Sequence, residues 1–439
     1  MDDKPIDNNQ MCPAIFTGLV FDTDKSVKPC CAYGDHHGFS PRNPRLESSD
    51  IINNNDFGVM SDTYQLKDIL ESKERKTLQQ QARNNEPSPG CEVCDRRYRS
   101  RPGRSQKTTW LTPPDQDGLK GFHDGWETNI TVIEINHSNT CNLSCAPCNS
   151  FFSSSWLKYE EMIADPLPWA DRHSKRPPTK PFDIVSHLKE IDLTKLKTLV
   201  LKGGEPMMNP DLLPLLQYFS DINILSNLTI SITSNGTILN KEMESVKQLL
   251  DKCKNVLITL SVDGVGFVGT YIRYSPQQFA KIENIEAFIQ SFTEHKNTRF
   301  ILFPTIQVYN VFSLDKLVDW WDIMVQKYKH TCSKPLSNSD GLYIGSVPRG
   351  YVELNHFVLG PNYLSVAALQ PATIKNIVQY YKNKNDERYD KLIASLEKIR
   401  YLGDKIHNEM VKYTLEMDRI KNQNVFSCIP QLVDEMIIR

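Results

Sequence analysis

The chain has 439 residues, of which 39% are hydrophobic and 24% are charged, and its formal net charge is −2. This balance is typical of a globular protein, and it gives no overall indication of a nucleic-acid or anionic membrane partner. No apolar run approaches the roughly 18–20 residues of a membrane span, and the polar start MDDKPIDNNQMCP is unlike a signal peptide. We therefore expect a cytoplasmic protein of two or three domains, with no membrane partner.

The first 125 residues are irregular and rich in Asn, Asp, Pro and Gly. One β-hairpin is predicted, with strands in AIFTGLVFD and VKPCCAY, and a helical segment follows at residues 61–85. Five of the eleven cysteines of the chain lie in this part: Cys12, Cys30, Cys31, Cys91 and Cys94. Disulfides are rare in a reducing compartment, so clustered cysteines indicate metal ligands. We expect a small Cys-rich domain over residues 1–125.

From about residue 126 the pattern changes to short β-branched runs that alternate with helical segments. The predicted strands are at residues 130–135, 197–204, 228–236, 256–264, 299–308 and 351–359. This alternation predicts an α/β fold with a parallel sheet, and six units predict a partial (β/α)6 barrel over residues 126–365. Residues 366–439 are helical and charged, which predicts a helical C-terminal extension that packs on the rest.

Three cysteines stand in the loop that follows the first barrel strand, in SNTCNLSCAPCNS. A structural zinc site takes four ligands, whereas three thiolates on one loop suit a metal centre that keeps one position open. In this class of fold the active site lies at the carboxyl ends of the strands. The segments GGEP, SNG and SVDG follow the next three strands, so they are expected beside the cysteine loop.

The order of these motifs resembles the radical S-adenosylmethionine (SAM) superfamily. The resemblance implies that Cys141, Cys145 and Cys148 hold a 4Fe-4S cluster whose open iron is chelated by SAM. A donor such as flavodoxin or ferredoxin would reduce the cluster. The family reaction cleaves SAM to methionine and a 5′-deoxyadenosyl radical, which abstracts a hydrogen atom from the substrate. Pro147 departs from the family, which usually has a bulky residue before the last cysteine.

The resemblance also implies a set of SAM-binding residues at successive strand ends. Gly203, Gly204, Glu205 and Pro206 would bind the amino group, whereas Ser261 and Asp263 would lie near the ribose and carboxylate. The remaining expected contacts are Ser234, Asn235, Arg273 for the SAM carboxylate, and Asn310 beside the adenine. Catalytic acid or base residues are not identified by the sequence.

The N-terminal cysteines resemble the twitch segment, a shortened SPASM-like domain that holds an auxiliary iron–sulfur cluster. The ligands implied are Cys12, Cys30 in preference to Cys31, Cys91 and Cys94. In well-known relatives this domain follows the barrel, whereas here it precedes it. A structural zinc site with four cysteine ligands is the alternative.

The substrate expected from relatives with SPASM or twitch domains is a peptide or protein. A nucleoside or nucleic acid is the alternative, because the loops at residues 96–107 and 171–181 are basic. The alternative to both enzyme hypotheses is a non-catalytic zinc-binding module. It would have no need for the strand-end motifs that resemble a SAM pocket.

Overall fold

The computed structural model describes most of the second half of the chain and parts of the first. The described residues are 14–23, 25–30, 33, 57–60, 65–84, 86, 88–91, 129–136, 138–163, 183–239, 242–328, 351–358 and 360–438. The strands are β1 (Gly18–Phe21), β2 (Ser26–Lys28), β3 (Gly58–Val59), β4 (Val132–Asn136), β5 (Thr198–Lys202), β6 (Thr229–Ser234), β7 (Asn255–Leu260) and β8 (Thr298–Leu302).

The described helices fall into three groups along the chain. Those before the cysteine loop are α1 (Ala14–Thr17), α2 (Leu66–Leu70) and α3 (Lys73–Arg83). Those between and after the barrel strands are α4 (Leu157–Glu160), α5 (Ile184–Leu188), α6 (Leu212–Asp221), α7 (Glu242–Leu250), α8 (Gly266–Ile272), α9 (Ile282–Gln290) and α10 (Leu314–Lys327). The C-terminal group is α11 (Pro371–Lys384), α12 (Asp390–Leu396), α13 (Asp404–Lys421) and α14 (Val425–Cys428).

All the described strands lie in one eight-stranded sheet of order β3-β2-β1-β4-β5-β6-β7-β8. Neighbouring strands from β4 to β8 pair in parallel, since helical segments return the chain to the same edge of the sheet. The hairpin of β1 and β2 joins this sheet beside β4, and β1 is parallel to β4 with Val20 opposite Glu134. The N-terminal segment therefore extends the barrel sheet.

The two faces of the sheet have different surroundings because side chains alternate along each strand. Ile133, Leu199 and Ile230 belong to the large apolar core shared with the helices. On the opposite face, Leu257 and Ile301 form a separate small cluster with Phe303 and Tyr351. Polar groups also occupy that face: the Nζ of Lys202 lies 3.1 Å from Oε1 of Glu134. The helices thus cover one face and leave the other to line the barrel interior.

The predicted α/β class is confirmed, with a mostly parallel sheet and a helical C-terminal part. The sixth predicted strand, at residues 351–359, contributes isolated parallel bridges from Val352 to Leu302 and from Phe357 to Ile306. The hairpin is also present, although its first four residues, Ala14–Thr17, are helical. The division into domains at 1–125, 126–365 and 366–439 stays a prediction, and strand pairing crosses its first boundary.

The described part of the chain contains no helix with the length and apolar character that a membrane crossing requires. The longest described helix, α13, carries charged residues, and its buried side bonds to a residue that follows β8, because Thr414 shares a hydrogen bond with Tyr309. Its contacts reach the loop of the three cysteines, which places the C-terminal helices beside the predicted site.

Candidate active site

The cysteine loop starts two residues after the end of β4 and is held by the backbone of residues 272–274. The amide of Ser144 donates to the carbonyl of Tyr274 at 2.8 Å, and the amide of Ala146 donates to that of Ile272 at 2.7 Å. The indole Nε1 of Trp156 donates to the carbonyl of Cys145 at 2.8 Å. These bonds fix the backbone on both sides of the central cysteine.

The GGEP segment lies directly against the start of the cysteine loop. The amide of Gly204 donates to the carbonyl of Ser138, and the amide of Glu205 donates to that of Thr140, both at 2.8 Å. A Cβ atom at position 204 would lie 2.3 Å from the carbonyl oxygen of Thr140. Only glycine therefore allows this close approach, and Gly203 adopts a positive φ of 119° at the turn before it.

Glu205 connects the GGEP segment to the end of β6. The residue is 2% exposed. Its carboxylate accepts hydrogen bonds from Ser234 Oγ at 2.8 Å and from the Asn235 amide at 2.7 Å. A third bond comes from the Met207 amide at 3.1 Å. Burial raises the pKa of Glu205, whereas these hydrogen bonds oppose the increase. The glutamate thus holds two strand-end motifs in one position.

Asn235 connects the end of β6 to the cysteine loop. Its Nδ2 donates to Oδ1 of Asn142 at 2.9 Å and lies 3.9 Å from Sγ of Cys141. Asn142 in turn donates to Oγ1 of Thr237 at 2.8 Å. Asn142 and Thr237 were missed as site residues by the sequence reasoning, although one lies between the cysteines and the other follows SNG directly.

The segment that follows β7 contributes a buried ion pair. Arg273 Nε lies 2.9 Å from Oδ2 of Asp263, whose side chain is fully buried. The other carboxylate oxygen accepts from the Thr305 amide at 2.8 Å, and Asn310 Nδ2 donates to the Asp263 carbonyl at 3.0 Å. A terminal nitrogen of Arg273 lies 3.9 Å from Sγ of Cys145. Asp263 therefore orients Arg273 toward the cysteine loop.

The three thiols are in a setting that suits an iron–sulfur cluster. Cys145 is buried and Cys141 and Cys148 are half-buried, with N–H donors near two of the three sulfur atoms. Burial raises the pKa of Cys141 to about 12, so bound iron would be needed to stabilise the thiolate there. A hydrogen bond from the Cys148 thiol lowers the pKa of Cys145. Among the described residues, no group of three or more His, Cys, Asp or Glu side chains is arranged to hold a single metal ion.

Helix α13 supplies two further contacts to the cysteine loop that the sequence reasoning missed. Lys421 Nζ donates to the carbonyl of Ser144 at 2.7 Å, and the Tyr413 hydroxyl donates to that of Ala146 at 2.8 Å. Burial lowers the pKa of Lys421 to about 7, and the charges of Cys145 and Cys148 act in the opposite direction. A lysine among charged helical residues gives no sequence signal of burial, so this contact could not be found beforehand.

The structure thus brings together most of the expected site residues at one edge of the sheet. Ser261 belongs to the same edge, since its amide donates to the Ser234 carbonyl at 2.8 Å. Pro206 is buried beside Glu205.

The half-buried Cys30 and Cys91 pack against the large core. The remaining predicted ligands and loops, which are Cys12, Cys31, Cys94, residues 96–107 and residues 171–181, lie outside the described residues.

Comparison with known proteins gives a match over this part of the chain. Residues 135–305 match the family model described as the Radical SAM superfamily, so the chain carries a radical SAM domain. That range includes the three cysteines and the GGEP, SNG and SVDG segments. The comparison with curated proteins found no match.

Several solved structures are similar to the chain at low sequence identity. Native anSMEcpe with bound AdoMet is 16% identical with a TM-score of 0.35, covering 67% of this chain and 62% of that chain. Native anSMEcpe with bound AdoMet and Kp18Cys peptide is 15% identical with a TM-score of 0.34, covering 67% and 62%. Streptococcus suis SuiB bound to S-adenosylmethionine is 16% identical with a TM-score of 0.23, covering 46% and 45%. The chain therefore spans less than two thirds of the length of each.

Proposed function

We propose that the protein is a radical SAM enzyme that binds a 4Fe-4S cluster through Cys141, Cys145 and Cys148. The observation that supports this most strongly is the direct contact between the cysteine loop and the GGEP and SNG segments. A loop that served only a structural metal would not require this assembly of strand ends. When bound, the cluster supplies the electron for reductive cleavage of SAM.

The side chains at the strand ends bind and orient SAM beside the cysteine loop. The buried Glu205 fixes the amides of the GGEP and SNG segments, so that the SAM amino group meets a preorganised backbone. Asp263 holds Arg273 with its terminal nitrogens toward Cys145, where the SAM carboxylate is expected. Asn310 holds the Asp263 backbone and borders the expected adenine position. The enclosed site limits access of water to reactive species.

The N-terminal part supplies an auxiliary iron–sulfur cluster in this proposal. Cys30 and Cys91 are candidate ligands, together with Cys12 and Cys94. The substrate is a peptide or protein, and a flavodoxin or ferredoxin supplies the electron. These three assignments rest on the resemblance to relatives that carry twitch or SPASM domains.

The experiment that tests the proposal measures iron, sulfide and zinc per chain after anaerobic purification and reconstitution, together with SAM cleavage under dithionite. About four irons or more per chain, with 5′-deoxyadenosine formed from SAM, would support the enzyme. A colourless protein with zinc at both cysteine groups and no SAM turnover would contradict it and favour the zinc-binding module. Binding of RNA that falls steeply with salt would instead favour a nucleic-acid substrate.

A further inference from the structure

Lys421, at the C-terminal end of α13, is buried behind the cysteine loop and is 3% exposed. Its Nζ donates to the Ser144 carbonyl at 2.7 Å and lies 4.0 Å from the centre of the Trp156 ring. The rings of Tyr159 and Tyr274 are 5.6 and 5.5 Å away. The ammonium is thus enclosed by aromatic faces and directed at the backbone next to the central cysteine.

A buried ammonium without a negative partner is strongly disfavoured. In the part of the chain that the structure describes, no carboxylate forms an ion pair with Lys421. Thiolates at Cys145 and Cys148 would raise the pKa of Lys421, against the effect of burial. The other cation near the loop, Arg273, already has Asp263 as its partner. Lys421 is therefore the cation beside the cysteine loop that no carboxylate of the described residues pairs with, and an anionic cluster on that loop would supply its partner.

We propose that Lys421 is a positioning residue that provides the counter-charge for the cluster bound by Cys141, Cys145 and Cys148 and raises its reduction potential. The inference rests on the proposed function. A 4Fe-4S cluster with three thiolate ligands is negatively charged and becomes more negative on reduction. A fixed cation in a medium of low dielectric constant stabilises the reduced form more than the oxidised form. The aromatic rings exclude water from the ammonium and so reduce screening of its charge.

Three substitutions separate the charge of Lys421 from its hydrogen bond. Lys421→Arg keeps the charge, Lys421→Gln keeps a donor for the Ser144 carbonyl but removes the charge, and Lys421→Met removes both. Lys412→Met is the matched control, because Lys412 is exposed on the same helix. The reconstituted full-length protein is titrated with reductant and followed by electron paramagnetic resonance. The signal that changes on addition of SAM identifies the cluster of the cysteine loop.

The expected result is a more negative midpoint potential in Lys421→Gln and Lys421→Met, with wild-type values in Lys421→Arg and Lys412→Met. A wild-type potential in Lys421→Gln would overturn the inference, since the hydrogen bond alone would then suffice.

If the Gln and Met variants lose the loop cluster while the Arg variant retains it, the charge is required for assembly, which supports the role of Lys421 as a counter-charge. Loss in all three would assign Lys421 to packing and overturn it. Absence of the cluster from the wild-type protein would contradict the proposed function instead.

Discussion

The carboxylate of Glu205 accepts three hydrogen bonds in a site from which water is almost excluded. Two of the donors are backbone amides, which cannot turn away from the site if the carboxylate is lost. The other is the hydroxyl of Ser234, which can rotate. Unpaired buried donors lower stability by more than the net value of the bond. The proposed role of Glu205 in SAM binding is therefore inseparable from its role in holding the two motifs together.

We expect Glu205→Gln to weaken SAM binding and to lower the free energy of unfolding by about 1–3 kcal/mol. The amide keeps the shape of the side chain but places an NH2 group against an N–H donor of Asn235 or Met207. Isothermal titration with SAM and denaturant unfolding measure the two effects. Glu283→Gln, at an exposed position of α9, is the control and should change neither. Unaltered SAM affinity in Glu205→Gln would contradict the assignment of Glu205 to the SAM-binding site.

The central cysteine of the loop permits a test with a matched buried thiol. We expect Cys145→Ala to remove about four irons per chain and to abolish SAM cleavage. Cys253→Ala is the control, because Cys253 is equally buried at 5% exposure, and its thiol contacts the Leu249 carbonyl. That variant should keep its iron and its turnover. Iron analysis and chromatographic detection of 5′-deoxyadenosine provide the measurements, and cleavage retained by Cys145→Ala would refute the ligand assignment.

At the scale of elements, α13 and the cysteine loop form one unit although they are far apart in the chain. Tyr413 donates to Ala146 across 267 residues of sequence, and Lys421 donates to Ser144 across 277. Tyr271 and Tyr309 also bond to α13, through Asp418 at 2.9 Å and Thr414 at 2.8 Å. The helix therefore stabilises the carboxyl ends of several barrel strands at once.

We expect Tyr413→Phe to lower the free energy of unfolding by about 1–3 kcal/mol, because the buried Ala146 carbonyl loses a donor. The ring and its contact with Tyr363 at 4.8 Å are retained, so packing changes little. Tyr380→Phe is the comparison, since Tyr380 is 43% exposed and its partner Asp315 keeps Lys384. Denaturant titration measures both variants. Equal stability of the Tyr413 variant and wild type would show that the bond contributes little.

The sequence predicted the barrel strands well, because each strand is marked by a β-branched run within its own segment. The β-branched run of residues 228–236 contains β6, and that of residues 197–204 contains β5. The pairing of β1 with β4 was not predicted, since a parallel pair formed across more than 100 residues leaves no local pattern. The burial of Lys421 was missed for the same reason, because a lysine in a charged helix resembles a solvated one.

At the scale of the whole molecule, the proposed function implies a metal content that depends on both cysteine groups. Cys91→Ala is expected to lower the iron from about eight to about four per chain while SAM cleavage remains detectable. The reason is that Cys91 follows Gly90, whose backbone approaches the ring of Tyr33 just after the N-terminal hairpin, whereas the proposed SAM site lies at the strand ends of the barrel. Iron, sulfide and zinc analysis of the variant and wild type measures the change. An unchanged metal content would refute the auxiliary cluster, and loss of one zinc would identify a structural zinc site.

The contact of α13 with the cysteine loop also sets an order of events during protein synthesis. The residues that bond to the Ser144 and Ala146 carbonyls are translated 277 and 267 residues later. At about 5–20 residues per second, the loop is synthesised roughly 13–55 s before its partners on α13 are made. Throughout that interval the thiols are in a loop that α13 does not yet cover. Assembly of the proposed cluster therefore has access to the nascent chain before the completed helix encloses the site.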